Sequence, residues 1–368
     1  MHLALVRRSI FVALILLSSV SGKGQSTQMQ RVFQIPYSTL GGPGGIQESS
    51  VYIAAPFVRI GESWSAFNGR SPRSQQEAAL QELVAALYRG DTAAAESRIV
   101  PPKEVAAGKA FANYVAAFKA SLAGMGEFEV EGYFPLNGRV RFVLRPLSGG
   151  TPYRIFTMRA GADGRLKFDE TKAPGKVDSV LNAVFRVLKD KKLEVPDLPK
   201  DGYVSVKAEP GVQIAVKARR INADLDQIGQ DVAGPALQFY QGCLAVPDKQ
   251  ALDKYFRCFA TDVQTRLRAE FEKMSADKQD QLFAMTSAPR HVDFVVDNGS
   301  SWIVYYHSNL YAVTGRDWIQ RTAGGALVLL NPMASFPLDD LISSQEIRRA
   351  IASSLGINSR GGAGARGK

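Results

Sequence analysis

The chain of 368 residues is 45% hydrophobic and carries a formal charge of +10, a length that suits two domains and a composition that lets both bury a core. Arg7, Arg8, Lys23, Arg360, Arg366 and Lys368 lie at the two ends. Without those six the body carries about +4 with its charges mixed, which excludes the basic footprint of a nucleic-acid binder.

Residues 1–22 read as a secretory signal peptide. Arg7 and Arg8 form a basic start, Ile10 to Val20 is apolar, and Ser18, Ser19, Ser21 and Gly22 supply small residues for cleavage near Gly22. The apolar run is shorter than the roughly twenty residues a spanning helix needs. The alternative is an uncleaved anchor. Residues 23–74, with the breaker Gly41-Gly42-Pro43-Gly44-Gly45, read as a loosely ordered N-terminal arm, either a linker or a docking segment.

A first α+β domain is expected over 75–192. Leu80, Leu83, Val84 and Leu87 mark a helix over 74–89, and Gly90-Asp91 ends it and starts the next. A third helix is expected over 103–122. The period then falls to two. Phe128 and Val130 alternate with Glu127, Glu129 and Glu131, and Val140, Phe142 and Leu144 alternate with Arg139, Arg141, Val143 and Arg145. This predicts a hairpin with one apolar face and one charged, ion-paired face. Further strands are expected over 153–159 and 165–169, and a closing helix over 177–189.

Residues 193–234 read as a linker with a small hairpin about Glu209-Pro210-Gly211 that either extends one sheet or stands as a spacer. A second domain over 235–356 repeats the order of elements. Ala79-Leu80-Gln81 recurs as Ala236-Leu237-Gln238, and Asp91 is matched by Asp248. Helices are expected over 235–245, 250–259, 269–285 and 344–355. Strands are expected at Val292 to Val296, 301–313, 318–321 and 326–330, with Asn298-Gly299 as a hairpin turn. The tail over 357–368, rich in Gly, Arg and Ser, reads as disordered. Cys243 and Cys258 are either a disulfide, the default in an oxidising compartment, or two buried thiols. They and His291 and His307 show no metal-ligand spacing, so no metal site is expected.

This order of helices and antiparallel strands, carried by Leu80 to Asp91, Phe128 to Leu144 and Tyr153 to Asp169 with counterparts in the second half, resembles the NTF2-like, cystatin-related α+β fold. The resemblance implies two related domains, each with helices packed on a curved antiparallel sheet. It also implies a cone between helix and sheet that serves as an enzyme pocket, a ligand pocket or simply a core. The helix after the last strand is extra to that pattern and would plug the cone or cover the sheet.

The candidate pocket lies in the second half: Trp302, Tyr305, Tyr306, His307 and Trp318, with His291 and Asp293 on the preceding strand. A two-residue turn puts Trp302 and Tyr306 on the His291/Asp293 face. A three-residue loop puts Tyr305 and His307 there, giving a His–Asp pair suited to general-base work. No nucleophile elbow or phosphate loop is present, and no catalytic residue or cofactor is assigned. The leading expectation is an exported, non-enzymatic binding or interaction protein of the cell envelope, periplasmic or secreted. Its partner is an unidentified protein or small ligand, and no transmembrane segment remains after cleavage. The alternatives are an enzyme or small-ligand carrier using the aromatic pocket, and an envelope-assembly component held by an uncleaved first helix.

Overall fold

The computed structural model describes residues 28–38, 46–101, 109–136, 138–148, 153–169, 176–188, 193–299, 301–308, 313–322, 324–330, 341–342 and 344–357. The leader over 1–22, the Gly-rich breaker and the tail beyond 357 lie outside them. The chain is an α+β protein in which helices pack on a thirteen-stranded antiparallel sheet. No helix among the described residues is long and apolar enough to cross a membrane.

The segment expected to be a loose arm forms two strands instead. Strand β1 (Gln28–Ser38) pairs with β2 (Ile46–Ser63) from Gln28↔Val58 to Ser38↔Ile46. Val32, Phe33 and Ile35 on β1, and Val51, Ile53 and Phe57 on β2, are buried. The breaker falls between the two strands in sequence, outside the described residues. On its other edge β2 pairs first with β9 through Val51–Ala54, then with β3 from Val58 onward. Pro56 falls between those two pairings, where a missing N–H costs that edge no ladder bond.

The first half continues with β3 (Phe128–Leu136), β4 (Arg139–Pro146), β5 (Arg154–Ala160) and β6 (Leu166–Phe168). Next, β7 (Glu194–Val195) adds to β1. The expected linker contains β8 (Val204–Glu209) and β9 (Val212–Asp224), which form the anticipated hairpin. Strand β9, far from a spacer, joins the halves. It pairs with β2 through Gln213–Val216 and with β10 through Lys217–Asp224. The second half adds β10 (His291–Asp297), β11 (Ser301–Ser308), β12 (Val313–Arg321) and β13 (Leu327–Leu329). The long strand expected over 301–313 is therefore divided between β11 and β12.

Helices α1 (Trp64–Gly69), α2 (Gln75–Arg89), α3 (Thr92–Ser97) and α4 (Lys109–Ala123) precede β3. The Ser74 hydroxyl accepts from the Glu77 N–H at the start of α2, and Gly90 closes it in the left-handed region at φ 74°. The Asp91 carboxylate then caps α3 at the Ala94 N–H. Helix α5 (Lys176–Val187) closes the first half. In the second half come α6 (Gln230–Leu244), α7 (Leu252–Phe256), α8 (Thr261–Glu272), α9 (Ala276–Ser287) and α10 (Gln345–Ser354). Helix α6 begins before the expected start and kinks at Gly234, ahead of Pro235. The single helix expected over 269–285 is instead the pair α8 and α9.

Two layers of helices sandwich the sheet. Leu80, Leu83, Val84 and Leu87 of α2 pack with Phe128, Val130, Phe142 and Leu144 on one face of the first half. Leu237, Tyr240 and Cys243 of α6 do the same with Val295, Val304 and Ile319 in the second. On the opposite face one large cluster crosses between the halves. It unites Phe33, Ile53 and Phe134 with Ile214, Phe294 and Tyr305 under α5 and α10. This cover corrects the expected charged face of the β3–β4 hairpin. Val143, on the same side as Arg139, Arg141 and Arg145, belongs to the shared core, and Arg141 is 1% exposed.

Matching irregularities recur in the two halves. The β3–β4 register slips by one residue between Val130 and Gly132, leaving Glu131 as the extra residue. The β10–β11 register slips between Val292 and Phe294, leaving Asp293. Ile99 bridges Phe168 in parallel, and Phe259 bridges Leu329 in the same way.

Cys243, in the last turn of α6, and Cys258, two residues past α7, form a disulfide with Cα atoms 5.9 Å apart. It closes a loop of 15 residues, for which chain entropy gives about 3 kcal/mol of stabilisation. Replacing both cysteines by serine should lower the unfolding free energy by about that amount in urea titrations, and a reductant should lower the parent's stability similarly. At the first slip, Gly132 has φ 153°, and a Cβ there would overlap the Val58 carbonyl oxygen and the Phe57 ring. Gly132→Ala should cost roughly 3 kcal/mol in the same assay, because backbone as well as a side chain must move.

Candidate functional site

The expected pocket residues lie on three adjacent strands, and the register of β10 against β11 decides what they make. Neither expected register holds along the whole pair. Asp297 sits opposite Trp302, so an even-numbered connection puts Trp302 and Val304 on the α6 face with Val295. At Asp293 the ladder slips by one, and beyond it His291 lies opposite His307. A bulge re-aims the side chains on one strand in this way.

The candidates therefore separate onto two faces. Tyr305 and Trp318 belong to the shared core, at 0% and 6% exposure. The Tyr305 ring stacks on Phe294 with centroids 4.5 Å apart, and its hydroxyl donates to the Ile342 carbonyl at 3.1 Å. Trp302 packs on the α6 face beneath Arg321. Tyr311, the further aromatic residue of the strand expected over 301–313, lies outside the described residues. Among the described residues, these aromatic side chains do not share one face of the sheet.

On the α6 face, Tyr306 meets a largely buried polar network that chain order does not reveal. The Tyr240 hydroxyl donates to Asp317 Oδ2, and Arg290 Nη1 donates to both. The Arg290 guanidinium lies 4.4 Å from the Tyr306 ring centroid. Burial pushes the Tyr240 hydroxyl well above the usual phenol range, and the Asp317 charge adds to it. For Arg290, desolvation opposes the charge, but Tyr240 and Asp317 outweigh it and raise its pKa. Across the ladder from Tyr306 stands Gly315, where any Cβ would overlap the tyrosine ring.

On the α10 face, the slip assembles the chemistry that remains accessible. Asp293 Oδ1 is 2.8 Å from His307 Nδ1, and Asp224 Oδ1 at the end of β9 is 2.8 Å from His291 Nδ1. The two imidazoles face each other at 4.7 Å between centroids. Arg348 of α10 reaches Asp293 Oδ2 at 3.3 Å and the Tyr306 carbonyl at 3.2 Å, with its guanidinium over the Tyr305 ring. Both imidazoles are half-buried. Among the described residues, no hydrogen bond engages either Nε2. Spacing along the chain hides this group. Asp224 is 67 residues from His291 and Arg348 is 55 from Asp293, so only the sheet brings them together.

The corresponding bulge of the first half holds a different set. Glu131 forms ion pairs with Arg31 at 2.7 Å and with Arg145 at 3.2 Å, while Arg145 also pairs with Glu129 directly across the ladder. Arg31 is 9% exposed and also holds Glu194 at 2.7 Å. Burial opposes its charge, but the two carboxylates raise its pKa overall. Burial and the neighbouring Glu131 push the Tyr153 hydroxyl up to about 12. Arg31, Glu129, Glu131, Arg145 and Glu194, with exposed Arg59, line a cleft of about 250 Å³.

Asp317→Asn would leave the buried Arg290 guanidinium without its anion. It should destabilise the chain by roughly 3 kcal/mol in chemical denaturation. Asp280→Asn, which breaks the exposed Lys249–Asp280 pair, should stay within about 0.5 kcal/mol of the parent. No protein-family model, curated protein or solved structure matches the chain, so the reading of this site rests on its own geometry.

Proposed function

We propose that the chain is an exported, non-enzymatic binding protein of the cell envelope, built from two related NTF2-like α+β units fused through one sheet. One observation carries the choice of binding over catalysis. The aromatic side chains that would line a reaction pocket in the second half are divided between two faces of the sheet, and Tyr305 and Trp318 are packed into the core. The relationship between the units is supported by the matched register slips at Glu131 and Asp293 and by the matched bridges to β6 and β13. In this reading the hairpins β1–β2 and β8–β9 are counterparts, each opening its unit. Polar surface for a partner is offered where the slips lie: the charged cleft about Arg31 and Glu131, and the histidine pair beside Asp293.

Export is tested by expressing the full-length chain and fractionating the cells. The expected result is recovery outside the cytoplasm with an N-terminus at Lys23 and Cys243 joined to Cys258. An exported chain that keeps Met1 and sediments with membranes would favour the anchored assembly component. Retention in the cytoplasm with both thiols free would overturn the proposal.

A further inference from the structure

We propose that His291, Asp293 and His307 bind a divalent transition-metal ion of zinc's class. This goes beyond the binding role above and does not rest on it. Each of the three residues offers one donor atom, and those atoms lie within 4.8 Å of one another. Two imidazoles and a carboxylate are a three-ligand set that suits borderline metals such as zinc and copper over calcium or magnesium, and it leaves a coordination position for water.

The strands hold the set nearly closed. His291 and His307 are direct cross-strand partners, and Asp293 is the extra residue at the slip between them and Phe294. Metal–nitrogen and metal–oxygen bonds of about 2.0–2.2 Å set neighbouring donors roughly 3.4 Å apart, so the wider separations within the 4.8 Å set close while the 2.8 Å His307 Nδ1–Asp293 Oδ1 contact opens to admit the ion. Half-buried side chains at the end of two strands have room for that adjustment and give an ion a way in.

One outer contact points the same way. Asp224 at His291 Nδ1 fixes a tautomer in which Nδ1 carries the proton and Nε2 presents its lone pair. This carboxylate–imidazole arrangement orients and strengthens a ligating histidine. Arg348 acts in the opposite sense, because its charge lies 3.3 Å from Asp293 Oδ2 and opposes a second cation. The equivalent position in the first half carries Glu129, Glu131 and Arg145, a set with no imidazole and a built-in cation. Metal binding is therefore assigned to the second half alone.

The test is calorimetric titration of zinc chloride into the untagged, chelator-treated full chain. One zinc per chain is expected. His307→Ala and Asp293→Asn should each weaken binding roughly 100-fold, and Asp224→Asn, an exposed outer contact, roughly 10-fold. Arg348→Gln should tighten it. Absence of saturable binding, or unchanged affinity in a His291→Ala/His307→Ala double variant, would overturn the proposal. A second measurement needs no variant. The chain has three histidines and the third is His2, so the imidazole ¹⁵N spectrum is simple. One equivalent of zinc should shift both the His291 and His307 resonances. If neither moves, the site is not where zinc binds.

Discussion

The architecture depends on a short ladder between β2 and β9. Val51–Ala54 pairs with Gln213–Val216, and through these residues the strands of the two halves become one sheet. Val51, Ile53, Ile214 and Val216 are fully buried in the shared core, while Ala54 and Ala215, also fully buried, alternate with them. Burying each large aliphatic side chain contributes roughly 2 kcal/mol, so separating the halves would expose a set worth most of a domain's net stability. The closing helices reinforce the joint, since Val180 and Val184 of α5 and Ile347 and Ile351 of α10 all pack into that cluster. For this reason neither half keeps a private core on this face.

With the sheet fixed in this way, the register slips decide what each half can do. Glu131 and Asp293 are the unpaired extra residues of their ladders, and each carboxylate turns to an arginine from elsewhere in the chain, Arg31 or Arg348. The neighbours across the ladder then set the chemistry. Glu129 and Arg145 neutralise each other in the first half, whereas His291 and His307 face each other in the second. One backbone device thus presents an ion-paired cleft at one site and a pair of imidazoles at the other. A local insertion in a strand has this effect because it alters which side chains share a face without disturbing the sheet beyond it.

Much of the local structure was legible in the residues. Ser74, Gly90 and Asp91 mark the ends of α2 and α3 where periodicity and capping chemistry place them. The cysteines were legible only as a disulfide or two buried thiols, and the return of α7 beside α6 brings their Cα atoms to 5.9 Å. What could not be read depends on the sheet being covered on both faces. Strands β1 and β2 lack clean alternation because Val51, Ile53, Ala54 and Ala55 are all buried, and such a run beside a Gly-rich breaker looks like a tether. Arg141 occupies a position that alternation marks as exposed, yet it is buried on the face that α5 covers. The slip at Asp293 has no sequence signature, so the two registers considered for β10 and β11 each describe only one end of the pair.

The two polar groups flanking β11 show why residue type alone does not identify a working site. On the α6 face, Tyr240 is fully buried, Arg290 nearly so, and the groups satisfy one another. Opening that network to a ligand would strand a guanidinium in a low-dielectric interior, which costs several kcal/mol. On the α10 face, Asp224 is more than half exposed and the imidazoles are half-buried. A ligand there gains contacts without first breaking the core. The richer collection of tyrosine, arginine and aspartate therefore stabilises the fold, whereas the smaller histidine cluster at the slip retains the freedom to bind.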